Sequence, residues 1–333
     1  MTTTCSNFTP AQREQALRAF KGVRVKHPRI GELFEELDVY LAPCSGADIV
    51  LLLGPTGVGK STATIAMLES TYREQAPAMA DDPSYVPAIW TEAPSAGERA
   101  FSWRLFYGAI LEQLNEPLVG RKLDVTTSVP TQLKQRSGPD KKMLSGLRIS
   151  VERALKERRT RYVVVDEAVH ILRQASAREL PVHMDTLKSL ANICDVTFVL
   201  VGSYDLFEVL RLNAQLARRV QLVHFSRYRG DNPGDRKAFA KTVRALVDKM
   251  PITGEVNLQR WTDTMFEHSV GCVGILKDIL QRALTAALIH HGEWKDVYLE
   301  RALPTAYATR AILQDIIHGE ELLSNQGLNA RVA

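Results

Sequence analysis

Residues 51–62 read LLLGPTGVGKST, an apolar run that breaks into a glycine-rich loop and closes on Gly59, Lys60 and Ser61. The loop matches the phosphate-binding pattern G-x-x-x-x-G-K-[ST] without substitution across Gly54, Pro55, Thr56, Gly57, Val58, Gly59, Lys60 and Ser61, with Thr62 following. Residues 48–53 read as a short buried strand and 61–68 as the start of a helix, the two elements this pattern must lie between. Its glycines admit backbone angles closed to other residues, so successive N–H groups can point inward at a phosphate. The helix that follows adds its positive N-terminal end. Lys60 is expected to reach the outer phosphates and the Ser61 hydroxyl to ligate Mg²⁺.

Reading outward from the loop, short apolar runs alternate with helical stretches, which predicts a parallel sheet flanked by helices. The strand candidates are residues 49–53, 86–90, 162–165, 197–201 and 220–225. Leu144, Leu147, Val151 and Leu155 form an apolar stripe at helical spacing, with Arg148, Glu152, Lys156 and Arg159 on the other face. Before the sheet, Pro10 opens a short helix and residues 31–41 a second one, broken by Pro43 and Gly46. After residues 228–235, YRGDNPGD, the period turns wholly helical, with Leu276, Ile279, Leu280, Ala283, Leu284 and Ala287 on one face. The expected organisation is an N-terminal helical extension over 1–46, an α/β nucleotide-binding unit over 47–228, a helical lid over 229–292, and a C-terminal helix and tail over 293–333. A polar segment at about 120–140 is expected to be an insertion. A last helix is expected over 303–318, with 321–333 frayed.

Four further stretches carry chemistry. Residues 162–167, YVVVDE, are an apolar strand that delivers two acids at its end. Asp166 is placed to hold Mg²⁺ through its water shell, and Glu167 to orient the water that attacks the γ-phosphate. Residues 197–203, TFVLVGS, repeat the design, and Ser203 is positioned to hydrogen-bond the γ-phosphate or that water. Residues 216–220, LARRV, put Arg218 and Arg219 just ahead of the last strand, where one of the two is expected to reach a neighbouring subunit's nucleotide. In residues 271–280, GCVGILKDIL, glycines at the helix opening allow close approach, and Lys277 one turn in is a candidate nucleotide contact.

The chain of 333 residues is long enough to bury a full core. Its formal charge of +4 is unevenly spread, because residues 134–161 hold ten Lys or Arg against three acids. That excess points to an anionic partner. Cys5, Cys44, Cys194 and Cys272 show neither a C-x-x-C pair nor histidines at zinc-finger spacing, which argues against a metal–thiolate site and for a reducing compartment. The opening MTTTCSNFTP lacks a signal peptide's apolar core, and no apolar run approaches the ~20 residues needed to span a bilayer. A soluble cytoplasmic protein is expected.

The order of these parts resembles the AAA+ ATPases, and most closely their initiator-like branch. Within it the chain is similar to transposition regulators of the TniB/TnsC family. The residues that carry this resemblance are Lys26-His27-Pro28-Arg29, VVVDEAVHIL, VLVGSYDL and the lid-helix sequence GCVGILKDILQRAL. The resemblance implies an AAA+ P-loop NTPase fold, a five-stranded parallel sheet between helices followed by a small helical lid. It implies ATP and Mg²⁺ as cofactors, and a homo-oligomeric ring or helical filament assembled around double-stranded DNA. It also implies a link between a target-selection protein and a DDE transposase, with hydrolysis driving disassembly, in the cytoplasm and at the nucleoid when on DNA. In such proteins the helix and loop after the second strand face DNA, which by region indicates Arg99, Arg104, Lys134, Arg136, Lys141, Lys142 and Arg148. The sequence departs from many AAA+ proteins at Lys277, where arginine is usual, and at Ser203, where Asn or Thr is usual. The alternatives are another initiator-like ATPase, such as a replication initiator, helicase loader or secretion-associated ATPase, and a nucleotide-gated scaffold with little hydrolysis.

Overall fold

The computed structural model describes residues 8–43, 45–95, 97, 101–116, 139–175, 179–211 and 220–325. The elements run α1 (Pro10–Gly22), α2 (Pro28–Leu41), β1 (Ile49–Leu53), α3 (Lys60–Glu74), α4 (Ala76–Asp81), β2 (Ala88–Glu92), α5 (Trp103–Gln113), α6 (Pro139–Glu157) and β3 (Tyr162–Asp166). There follow α7 (Val169–Arg173), α8 (Glu179–Cys194), β4 (Thr197–Gly202), a 3-10 helix (Tyr204–Arg211), β5 (Val220–His224), α9 (Pro233–Val247), α10 (Leu258–Ser269), α11 (Val273–Ile289), α12 (Asp296–Ala302) and α13 (Ala306–Asn325). Two compact units result, one of Leu33–Leu53 and Lys60–His224, the other of Met1–Glu32, Gly54–Gly59 and Phe225–Ala333.

The first unit is built on a five-stranded, all-parallel sheet in the order β2-β3-β4-β1-β5. Leu51 of β1 pairs with Leu200 on one side and Leu222 on the other, and Val164 of β3 pairs with Trp90 and Val199. Every residue of β1 and β3 is buried. That is why IVLLL and YVVVD read as unbroken apolar runs: both faces of a parallel sheet are covered by helices. Each such aliphatic side chain contributes roughly 1.5–3 kcal/mol relative to an exposed one. Helix α3 is tied to the sheet through Thr71 and Tyr162, whose hydroxyls lie 2.6 Å apart, and through Tyr72, which donates to the Ala88 carbonyl at 2.9 Å.

Strand β2 starts two residues later than the sequence reading and runs to Glu92. Pro87 has no N–H for the ladder, so pairing begins at Ala88, with the Pro87 carbonyl receiving the Arg161 N–H at 2.8 Å. Helix α5 was not separately read from the periodicity; Ser102 caps it by accepting the Leu105 N–H, and Phe106, Tyr107, Ile110 and Leu111 are its buried face. Helix α8 was also missed. It buries His183, Met184, Leu187, Leu190, Ala191 and Cys194.

The second unit is helical. Helix α1 begins with a capping box between Thr9 and Gln12 and with proline at its first turn. Asn232 caps α9 by accepting the N–H groups of Gly234 and Asp235. Helix α11 is the hub: Leu276, Ile279, Leu280, Ala283, Leu284 and Ala287 are all fully buried, and α1, α9, α10 and α12 pack against it. The last helix runs from Ala306 to Asn325, so residues 321–325 are helical where fraying was expected. Pro304 delays its start, and buried Ile316 and Leu323 hold its later turns. Among the described residues no helix is long and apolar enough to cross a membrane, and no group of three or more His, Cys, Asp or Glu could hold a metal ion.

Candidate active site

In a parallel sheet all strands deliver their carboxyl ends to one edge, which is where open α/β sheets bind ligands. On that edge of the first unit β3 ends in Asp166, β4 runs into Ser203, and β1 leads towards the phosphate loop. Asp166 is 5% exposed. One of its carboxylate oxygens accepts the Glu167 N–H at 2.9 Å, and its carbonyl accepts the Ala93 N–H at 2.8 Å. Glu167 is exposed and holds a left-handed backbone with φ 49°. For a residue with a Cβ this conformation costs roughly 1 kcal/mol. The turn places its carboxylate in the open beyond the strand end, next to a buried acid. Such placement suits a group that must meet water. Ser203 Oγ is buried and has no hydrogen-bond partner among the described residues. A buried hydroxyl in that condition sacrifices stability unless something else satisfies it.

The register adds a residue that the sequence reading missed. Glu92 ends β2 directly opposite Asp166 and is exposed. Reading β2 as ending at Trp90 concealed it; the signal was Pro87, which shifts the strand forward. Helix α3 starts at Lys60, with Ser61 and Thr62 exposed on its first turn.

The loop itself is seen in the second unit. Gly57 has φ 76°, and a Cβ there would lie 2.4 Å from Ile275 Cγ1. A Cβ on Gly274 would lie 2.4 Å from the Gly57 carbonyl oxygen, which accepts the Ile275 N–H at 3.2 Å. The close approach expected of the glycines at the head of α11 is thus an approach to the phosphate loop. Lys277 is engaged differently from the nucleotide contact expected of it. Its ammonium donates to the carbonyls of Lys21 at 2.7 Å and Val23 at 2.6 Å. Burial, and next the Arg24 charge, hold it below the ordinary lysine range.

Lys26-His27-Pro28-Arg29 had no assigned task in the sequence. In the structure His27 is buried, Nδ1 lies 3.0 Å from the Tyr228 hydroxyl, and the ring stacks on Phe225. Burial, and then the Arg29 charge, push its pKa down from 6.5 to about 4. Arg29 forks onto both carboxylate oxygens of Asp235 at 2.9 and 2.8 Å, and Asp235 also accepts the Arg229 N–H at 2.8 Å. Arg227 makes a second fork, to Glu320 of α13, at 2.9 and 3.2 Å. All are short, charge-assisted bonds; Arg29 makes both of its own from one nitrogen, Nη2, whereas Arg227 uses Nε and Nη2.

The residues marked for DNA fall into three groups. Arg104 is exposed on the first turn of α5. Arg148 is half-buried and engaged internally, donating to Glu152 at 2.8 Å and to Ser189 Oγ at 2.9 Å. Arg99, Lys134 and Arg136 lie outside the described residues, as do most of the expected insertion at 120–140 and both finger candidates, Arg218 and Arg219. Lys141 and Lys142 lie on α6, but their side chains are outside the description.

Comparison with known proteins places this architecture. The Aeropyrum pernix ORC2 protein, solved as ADPNP–ADP complexes, superposes with a TM-score of 0.55 at 16% identity, over 86% of this chain and 70% of that one. The Aeropyrum pernix ORC1 protein in complex with DNA gives a TM-score of 0.53 at 14% identity, over 90% and 68%. Drosophila ORC bound to DNA gives 0.52 at 15% identity, over 91% and 67%. At these identities the likeness establishes the fold alone, the AAA+ arrangement of a parallel sheet between helices with a helical region after it. No curated protein sequence matches the chain. The profile of the family described as bacterial TniB protein matches residues 21–230, more than half of the chain and the whole span from the end of α1 past the last strand. On that match the chain belongs to the bacterial TniB family, and its fold is the AAA+ fold.

Proposed function

We propose that the chain is an ATP-dependent, DNA-binding regulator of transposition. It assembles on duplex DNA as a ring or helical filament, links a target-selection protein to a DDE transposase, and is released by hydrolysis. The observation that carries this reading is an unsubstituted phosphate loop, residues 54–61, inside the segment that matches the TniB family.

Residues 54–59 and the first turn of α3 bind the phosphates of ATP, Lys60 meets the outer ones, and one of Arg218 and Arg219 completes the site from a neighbouring subunit. Ser61 and Asp166 are hard oxygen donors of the kind Mg²⁺ prefers, and the metal would neutralise phosphate charge there. Glu167 orients the attacking water and accepts its proton, and the unpartnered Ser203 Oγ gives its hydrogen bond to the γ-phosphate or to that water. A buried hydroxyl without a protein partner is what such a role requires. Exposed cations such as Arg104 meet DNA phosphates, so binding is weak in sequence preference and falls steeply with salt. Arg148 is omitted, because its guanidinium already serves Glu152 and Ser189.

Electron microscopy of the protein with ATP and duplex DNA, beside Lys60→Ala, tests the proposal. Regular assemblies are expected only for the unaltered protein with ATP; assembly indifferent to ATP and to Lys60 overturns it.

A further inference from the structure

Helix α1 ends with carbonyls that have no intrahelical partner, as every helix does, and the next residues leave it as an extended linker. The Phe20 carbonyl is satisfied by the Val23 N–H at 3.0 Å. The carbonyls of Lys21 and Val23 both receive the same donor, the Lys277 ammonium, from the second turn of α11. A cation at this place also meets the negative end of the α1 dipole. Since the side chain is half-buried between two oxygens, little freedom remains for it to act elsewhere.

The head of the same helix is fixed to the phosphate loop. The Ile275 N–H donates to the Gly57 carbonyl, and Gly274 lies so close to that oxygen that no other residue fits. Between Gly274 and Lys277 there is less than one turn of helix, a stiff connection. A displacement of the loop at Gly57 must therefore carry the Lys277 ammonium with it, break that ammonium's two short hydrogen bonds, or give up the 3.2 Å bond between Ile275 and Gly57.

We propose that Lys277 is a positioning residue that latches the α1–α2 linker to α11, so that the state of the phosphate loop is transmitted to the N-terminal helix. Its task is mechanical linkage between Gly57 and the carbonyls of Lys21 and Val23. The transmission half rests on the nucleotide reading above; the latch half does not. Nucleotide that orders Gly54–Gly59 thereby orders α1, a surface helix with a single buried side chain, Phe20. The low burial makes α1 the part of this unit whose local stability a latch can govern.

Hydrogen exchange on the full chain tests both halves, using the unaltered protein, Lys277→Met and Lys277→Arg, each with and without a non-hydrolysable ATP analogue. Without nucleotide, amides of residues 12–26 are expected to exchange about tenfold faster in Lys277→Met, the size of losing a charged hydrogen bond, while Lys277→Arg keeps most of the protection. The analogue is expected to slow α1 exchange in the unaltered protein and to leave it unchanged in Lys277→Met, with analogue affinity altered no more than a few-fold. Equal α1 exchange in all three nucleotide-free proteins overturns the latch. Loss of analogue binding in Lys277→Met with α1 protection intact also overturns it, and returns Lys277 to the nucleotide. If the unaltered protein fails to bind the analogue, the nucleotide reading fails, while the nucleotide-free comparison still decides the latch.

Discussion

Two polar regions of this molecule are built on opposite principles. Around His27, Arg29, Arg227, Tyr228, Asp235 and Glu320, charged and polar heads end on one another at 2.8–3.2 Å. At the carboxyl edge of the sheet, Ser203 Oγ is buried without a partner, Glu167 projects from a left-handed backbone, and Glu92 stands exposed opposite Asp166. The first region spends nearly all its polar groups on the protein's own architecture, Arg29 Nε alone among the bonded heads being buried without a partner among the described residues. The second keeps them back, at a cost in stability, as the proposed nucleotide site requires.

That contrast can be broken at several points. In the first region, Asp235→Ala leaves Arg29, with a 16%-exposed side chain, only its pair with Glu32, and removes the acceptor of the Arg229 N–H. A loss of about 3–5 kcal/mol is expected in denaturant unfolding; a change under 1 kcal/mol would place the fork among merely decorative surface pairs. His27 gives the pH dependence. Its pKa is lowered from 6.5 to about 4 in the folded chain, so the unfolded chain binds the extra proton first. Stability from this group is complete above pH ~6.5 and is lost as pH falls towards 4, on the order of 3 kcal/mol in all. His27→Gln should flatten unfolding midpoints measured across that window.

The sheet-edge region should respond in the other direction. Glu167→Gly relieves a backbone that glycine adopts freely, so stability is expected to rise by about 1 kcal/mol while ATP turnover is lost. Calorimetry that instead finds the variant less stable would show that Glu167 is held by its surroundings. The smallest stability effect belongs to Ser203→Ala, which removes an unpartnered hydroxyl: within about 0.5 kcal/mol of the unaltered protein or slightly above it, with turnover reduced about tenfold.

The sheet was legible because a two-faced burial demands unbroken apolar strands, and those of β1, β3 and β4 announce themselves. The loop was legible because backbone chemistry fixes its glycines and lysine at fixed spacing. What the sequence concealed followed from less periodic causes. The forward shift of β2, and with it Glu92, depends on one missing N–H at Pro87. The role of Lys277 depends on where α1 ends 256 residues earlier in the chain, and Arg148 sat in a basic run that reads as one surface until Ser189 of another helix is brought against it. The His27 and Arg29 network joins residues over 200 positions apart, a separation that no spacing rule reaches.

In the proposed function the buried, unpartnered Ser203 hydroxyl and the exposed Glu167 carboxylate at the sheet edge serve ATP. Single-turnover hydrolysis in Glu167→Gln, with nucleotide affinity measured on the same sample and with and without duplex DNA, tests it most directly. Affinity within about threefold of the unaltered protein and turnover lower by roughly 10²-fold or more are expected. Unchanged turnover in that variant would contradict it.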